Sequence, residues 1–302
     1  MLKIWLVVVN SHFSHFLRNR LFRTTKTRSF VAHRDLFLKI YSLSYEAEYE
    51  FKVLSQIKIM NPKTFAVPRP LKLTKISGLA TLAMENIRGQ SLEKVVNYVL
   101  LSSNKDALRV FYELGEAFRE LHNLQLKGLN ESNLPSSWRD LKTEIAKKSR
   151  RILGHKIELE YINGYESDEI FKTANLHGEA YFTHIMISNG HFIFFDFHKA
   201  CKGPAFYDLS VFDISLRSSI LLSPKSDTKL DLIANALWTG YFGEKIGEWP
   251  IRISELYAAL SAIEALLHNK VSLTSKAINL LKVRKLRNFI FSIEQELLHS
   301  SM

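Results

Sequence analysis

The dipeptide Asn189-Gly190 constrains this chain more than any other feature. It separates two short apolar runs, Ile185–Ser188 and His191–Phe195. A two-residue connection between β-like runs is a hairpin whose turn needs positive φ at both central positions, and Asn-Gly tolerates that well. Polar side chains cluster at the open end of this hairpin. His177, Glu179 and His184 come before it, and Asp196 follows it. A tight turn brings the chain back to where it left, so the two clusters converge. A Glu, a His and an Asp gathered in this way can hold a divalent cation and activate a hydroxyl.

The chain has 302 residues, 46% of them hydrophobic, so it can bury a sizeable core. The length exceeds one ordinary domain and fits two lobes sharing a cleft. Cys201 is the single cysteine, which rules out an internal disulfide and points to a reducing compartment. No apolar run is long enough to span a membrane. Ile4–Val9 is the most apolar run near the start. No small-residue cleavage site follows it, so it reads as a buried strand rather than a signal h-region. The formal net charge of +11 implies anionic partners. Charge alone fits nucleic acid, a membrane surface, a phosphorylated substrate or a solvated face. Zinc spacing, RNA-binding signatures and basic heptads are missing, so nucleic acid is not expected.

Upstream, Ser29–Ala32 and Leu36–Tyr41 read as strands about a turn at His33-Arg34-Asp35. Lys39 lies inside the second strand, where a lone lysine needs a partner or a path to water. Residues 44–58 read as a helix. Within it, Glu50 is followed by Phe51, Leu54 and Ile57 and is favoured over Glu46 and Glu48 for a buried face. Val67-Pro68-Arg69-Pro70 is an extended connector. Leu71–Ile76, Ser77-Gly78 and Leu79–Met84 form a second hairpin. After Met84–Gly89 the pattern becomes mostly helical. Ser91–Leu101 is one candidate helix. Asp106–His122, with Leu108, Phe111, Leu114, Phe118 and Leu121 at helical spacing, is another. Residues 123–175 are polar and poorly periodic, and Lys142, Lys147, Lys148, Arg150, Arg151 and Lys156 cluster there. Tyr207–Ile220, Leu230–Phe242, Ile253–His268 and Ser272–Leu298 complete a helical half.

The order His177-Gly178-Glu179, a polar residue five positions after the acid, a hairpin and then Asp196-Phe197 resembles the catalytic segment of kinase-fold phosphotransferases. The aminoglycoside and choline kinase branch has Asp and Asn where this chain has Glu179 and His184. Tyr181, His184 and Asp196-Phe197-His198-Lys199-Ala200 are similar instead to the lipopolysaccharide core heptose kinases. The resemblance implies an α+β, two-lobed, protein-kinase-like fold. Residues 1–88 would be a β-rich nucleotide-binding lobe. Residues 89–302 would be a helical lobe carrying the catalytic hairpin and the acceptor site.

The same resemblance implies roles. Lys39 binds the ATP phosphates and pairs with Glu50, and Glu85 and Ile87 belong to a hinge that meets adenine. Glu179 faces the acceptor hydroxyl, and Asp196 and His184 hold Mg²⁺. His177 and Asp208 brace the loop. The implied activity is ATP-dependent phosphorylation of a sugar hydroxyl on a lipopolysaccharide core or similar glycan. That acceptor would be an anionic glycan or glycolipid, met at the cytoplasmic face of a bacterial inner membrane with peripheral contact to acidic lipid. A basic insertion at residues 142–156 suits such an acceptor. Two other readings stay open. One is a pseudokinase that binds or scaffolds. It is favoured by Glu179, by the nitrogen ligand, and by the lack of any glycine before Gly78, where a phosphate-covering loop uses one. In a nucleotide-binding kinase the cationic side chains of Arg18–Arg34 would stand in for those backbone donors; that segment also reads as a solvated face or a membrane-facing patch. The other is a soluble aminoglycoside- or choline-type kinase.

Overall fold

The computed structural model describes residues 28–33, 35–76, 78–101, 105–159, 168–219, 227–243, 247–268 and 273–300. The strand expected at Ile4–Val9 lies outside them, as does most of Arg18–Arg34. The chain begins with β1 (Arg28–His33), β2 (Leu36–Tyr41), helix α1 (Ser44–Met60), β3 (Phe65–Ala66), β4 (Pro70–Ile76) and β5 (Leu79–Glu85). Four of these strands form an antiparallel sheet in the order β1-β2-β5-β4. Side chains alternate across it. Leu38 and Ile40 join Ile76 in a small cluster on one face. Tyr41, Ala80, Leu82 and Met84 join the main core on the other, and the alternation puts Lys39 on that inner face with Phe37 and Tyr41. Helix α1 packs on β2, β4 and β5 and buries Ala47, Glu50, Val53, Leu54 and Ile57. Glu50 therefore occupies a step of the apolar stripe, on the side that faces the sheet.

From residue 90 onward the order is β6 (Gln90–Ser91), α2 (Leu92–Leu101), α3 (Arg109–Asn123), β7 (Asn130–Glu131), α4 (Trp138–Leu153) and β8 (Thr173–Leu176). The hairpin strands β9 (Ile185–Ser188) and β10 (His191–Phe194) come next, then β11 (Cys201–Pro204). Helices α5 (Phe206–Arg217), α6 (Asp227–Phe242), α7 (Glu248–His268) and α8 (Leu273–Ser300) finish the chain. The hairpin turn has φ 49° at Asn189 and 78° at Gly190, as the dipeptide requires. Its strands sit in the middle of a sheet ordered β3-β10-β9-β6, so upstream segments hold both of its edges. Phe194 anchors it to the core, edge-on to Phe65 at 5.2 Å and to Phe118 at 5.1 Å. Each such pair contributes about 0.5–1.5 kcal/mol beyond the area it buries. A third sheet has the order β7-β11-β8.

Helices α3 and α6 meet through glycines. A methyl group on Gly115 would collide with the carbonyl of Leu237, and one on Gly240 with that of Tyr112. Backbones can approach this closely only where neither residue has a Cβ.

The largest departure from the sequence reading is α4, inside the segment read as aperiodic. Trp138, Leu141, Ile145 and Ser149 form its buried stripe. Ser137 caps it by accepting from the Asp140 N–H at 3.2 Å, and Gly154 ends it at φ 88°. The stripe is narrow, one of its positions is a serine, and basic residues fill the turns between. Helix α7 starts at Glu248, five residues earlier than read. Pro250 lies in its first turn, where the missing N–H costs nothing. Among the described residues no helix is long and apolar enough to cross a membrane.

Candidate active site

The loop from His177 to Tyr181 is held from beneath by Asp208 in the first turn of α5. Its carboxylate accepts from the N–H of His177 at 2.6 Å and of Gly178 at 3.0 Å. His122 on α3 lies 3.1 Å from the same carboxylate through Nε2, and its Nδ1 lies 2.9 Å from the Tyr241 hydroxyl. A consistent proton arrangement has Nε2 donating to Asp208 and Nδ1 accepting from Tyr241. His177 Nε2 donates to the Phe195 carbonyl at 2.9 Å, tying the loop to the end of β10. Burial pushes its pKa down to about 4, so the ring is neutral at physiological pH.

Lys39 projects from β2 into the space between α1 and the hairpin end. Its ammonium lies 2.6 Å from Glu50 Oε2 and 2.5 Å from Asp196 Oδ1. Glu50 is buried and fully partnered. Tyr41 donates its hydroxyl to Oε2, and the Phe197 N–H donates to Oε1 at 3.3 Å. Burial and the adjacent Glu50 charge push the Tyr41 phenol far up, so it remains a donor. Glu48 is exposed and Glu46 half-buried, which leaves Glu50 as the partner of Lys39.

Asp196 adopts φ 76°, ψ 54°, a left-handed backbone that residues other than glycine seldom adopt. Strain of this kind persists where the surroundings fix the residue, and it concentrates at functional sites. Oδ1 takes Lys39 and, at 2.5 Å, His198 Nδ1. Burial alone would raise the Asp196 pKa, but the His198 hydrogen bond and the Lys39 charge hold it well below the usual carboxylate range. The pair shifts His198 the other way. Burial opposes its charge, yet Asp196 outweighs burial and raises the pKa. Oδ2 of Asp196 faces His184 Nε2 at 3.6 Å, and His198 Nε2 is 3.8 Å from Glu179 Oε2. Lys39, Glu50, Glu179, His184 and Asp196 thus meet at one place. Glu85 and Ile87 lie elsewhere. Glu85 ends β5, opposite Leu36, and its N–H donates to the Arg69 carbonyl at 2.9 Å. Ile87 is half-buried in the connector to β6.

Two members of the site had no role in the sequence reading. Tyr41 is two residues from Lys39 on the same face of a strand, so period-two alternation would have found it. His198 has no periodic signal and was marked only by the Asp196–Ala200 resemblance; a single turn of 3₁₀-helix, Phe197–Lys199, brings it back over Asp196.

The donors present fit a divalent cation on Asp196 Oδ2 and His184 Nε2. Glu50, Asp196 and His198 also place ligand atoms within 4.8 Å of one another. Those atoms, however, already serve Lys39, Tyr41 and each other, so a cation there would displace Lys39. Beside the loop is a cavity of about 700 Å³. Tyr181 and Thr183 line it, with Ser215 from α5, Ser261 from α7, and Asn279 and Lys282 from α8. No carboxylate is among its described lining residues.

Residues 14–223 match the phosphotransferase enzyme family, APH. No curated protein matches the sequence. Solved structures share the fold at low identity. A choline/ethanolamine kinase family protein from Mesorhizobium loti is 13% identical with a TM-score of 0.54, over 94% of this chain and 96% of that one. Amicoumacin kinase, in complex with AMP-PNP, Ca²⁺ and Ami, is 11% identical with a TM-score of 0.53, over 96% and 95%. An aminoglycoside phosphotransferase from Streptomyces rimosus is 12% identical with a TM-score of 0.50, over 83% and 98%. These likenesses and the mixed α+β architecture, β-rich first and helical after, show a protein-kinase-like fold. The chain belongs to the phosphotransferase enzyme family.

Proposed function

We propose that this protein is an ATP-dependent kinase that phosphorylates a sugar hydroxyl on a lipopolysaccharide core or similar glycan. The observation that carries the kinase reading is Lys39, held between Glu50 and Asp196 within reach of the loop bearing Glu179. In this reading residues 1–88 bind the nucleotide and residues 89–302 bring the acceptor. Lys39 contacts the phosphates, and Glu50 fixes its direction. Ile87 makes no backbone hydrogen bond among the described residues, which suits a hinge that pairs with adenine, and Glu85 precedes it. Glu179 orients the acceptor hydroxyl and takes its proton. Asp196 and His184 hold the cation, Mg²⁺ or a relative, which supplies charge to neutralise the phosphates when bound. The amicoumacin kinase complex, which contains AMP-PNP and Ca²⁺, supports a nucleotide and a divalent cation as partners in this fold.

Two observations favour a glycan acceptor over a cationic one. The cavity beside Tyr181 offers hydroxyls, an amide and Lys282. A polycationic acceptor would need carboxylates there to offset its desolvated charge. Tyr181, His184 and the Asp196–Ala200 pattern resemble those of the heptose kinases. The pseudokinase reading keeps two arguments of its own, Glu179 in place of aspartate and the absence of glycine before Gly78.

A variant series separates the two: wild type, Glu179→Asp, Glu179→Gln and Asp196→Asn, with ATP binding and phosphate transfer to a lipopolysaccharide-like acceptor measured on each. For a kinase, Glu179→Gln binds ATP but transfers about a hundredfold more slowly. Asp196→Asn loses metal-dependent binding. Wild type that binds no nucleotide with Mg²⁺ or Mn²⁺ returns the protein to the pseudokinase class.

A further inference from the structure

We infer that the cation site is a mixed nitrogen–oxygen site, formed by His184 Nε2 and Asp196 Oδ2, that favours Mn²⁺, which accepts nitrogen ligands more readily, over Mg²⁺. This rests on the reading of Asp196 as the cation's carboxylate. The two oxygens of Asp196 are used differently. Oδ1 accepts from both Lys39 and His198 at 2.5 Å each, whereas Oδ2 faces His184 Nε2 alone at 3.6 Å. The tautomer of His184 is fixed from the other side of the ring. Its Nδ1 lies 2.9 Å from the Glu179 carbonyl, which can only accept, so Nδ1 carries the proton. In the neutral ring Nε2 then carries a lone pair aimed at a carboxylate oxygen. The gap is too long for a hydrogen bond and short enough for both atoms to share one cation.

A ring nitrogen that donates to a backbone carbonyl and leaves the other free to bind a metal is how ligating histidines are held. The Glu179 carbonyl also accepts from the Tyr181 N–H at 2.7 Å, so the turn that sets the histidine is itself fixed. Mg²⁺ takes oxygen ligands and dehydrates reluctantly, whereas the first-row transition ions, Mn²⁺ included, accept an imidazole nitrogen more readily. A site made for Mg²⁺ gains nothing from an imidazole where an amide oxygen would serve. The ring nitrogen therefore sets selectivity.

The test uses the full chain with ADP. Mn²⁺ is titrated with free Mn²⁺ read by EPR, and Mg²⁺ is measured by competition, on wild type and His184→Asn. Mn²⁺ binds most oxygen sites more tightly than Mg²⁺, so the informative quantity is how the Mn²⁺/Mg²⁺ affinity ratio changes between the two proteins. The expected result is a fall of about tenfold or more in that ratio in His184→Asn. Pulsed EPR of the wild-type Mn²⁺–ADP complex should show nitrogen modulation that changes when histidine is isotopically labelled, a readout that does not depend on the variant folding. An unchanged ratio, or no histidine modulation while Mn²⁺ and ADP bind together, overturns the inference and leaves the kinase reading intact. Wild type that binds neither ion with nucleotide overturns both.

Discussion

At Lys39 three buried or half-buried charges meet, and none can be removed without leaving the others exposed to each other. Lys39→Met would strand Glu50, which is 1% exposed. Leaving a buried charge unpaired costs about 3–5 kcal/mol. Urea unfolding should show a loss of that order, and Lys39→Met with Glu50→Gln should recover much of it while nucleotide binding stays lost. If the single variant is as stable as wild type, Lys39 is not what neutralises Glu50. His177 makes a second residue-scale case. Its folded pKa is depressed by burial from 6.5 to about 4. The unfolded chain therefore takes up a proton as pH falls through 6.5, and the folded chain does not until about pH 4. Stability is fully present above 6.5 and is lost between those values, by about 3 kcal/mol from this ring alone. Urea midpoints from pH 7 to pH 4 should fall more steeply in wild type than in His177→Gln. Parallel slopes would mean that the ring is charged or solvated in the folded protein.

At the scale of elements, what could be read from sequence was whatever local chemistry dictates. Asn189-Gly190 specified its hairpin because few residues tolerate that turn. Lys39 and Glu50 stood out locally as charges inside an apolar strand and an apolar helical stripe, but their pairing was legible only through the resemblance of the downstream segment to kinase-fold phosphotransferases. Helix α4 was not legible, because a stripe of Trp138, Leu141, Ile145 and Ser149 among basic residues gives little period to count. The strands β3, β6, β7 and β11 pair with distant segments over a few residues, so their existence is a tertiary fact. His198 falls in the same class, since its position depends on the turn after a left-handed Asp196. The contact of α3 with α6 is also tertiary, and it makes a prediction. Gly240→Ala forces a methyl group into the Tyr112 carbonyl, and overpacking of this kind costs about 1–3 kcal/mol. Since α3 carries His122 to Asp208, thermal unfolding should show the loss, and turnover should fall with it as the catalytic loop loosens. An unchanged melting temperature would mean that the helices move apart freely.

At the scale of the whole molecule, several basic side chains among the described residues gather along α4. A groove of about 830 Å³ runs along α4, with Trp138, Ile157 and Leu159 in its floor. Arg139, Lys142, Lys147, Arg150, Arg151 and Lys156 line it. Some of that charge is offset, as Lys147 pairs with Glu144, Lys156 with Glu158, and Arg151 with Glu264. Arg139 and Arg150 make no ion pair among the described residues. Arg287 on α8 donates to the Ile152 carbonyl at 3.1 Å, so the basic run of α8 reaches the end of α4. The groove shares no described residue with the cavity beside Tyr181, and α7 contributes to that cavity while packing against α4. A cationic face separate from the reacting hydroxyl suits an acceptor whose anionic bulk lies away from the site of transfer, or the acidic surface that carries it. We predict sedimentation with acidic vesicles and not with neutral ones. The binding should weaken with salt, because the Debye length falls from about 10 Å at 0.1 M to about 3 Å at 1 M. Each basic residue near an acidic surface contributes about 1 kcal/mol, so Arg139→Glu with Arg150→Glu should lower binding by about thirtyfold or more. ATP binding should not change, since neither residue touches the Lys39–Asp196 cluster. Equal sedimentation with neutral and acidic vesicles, insensitive to salt, would make the basic face an ordinary solvated surface.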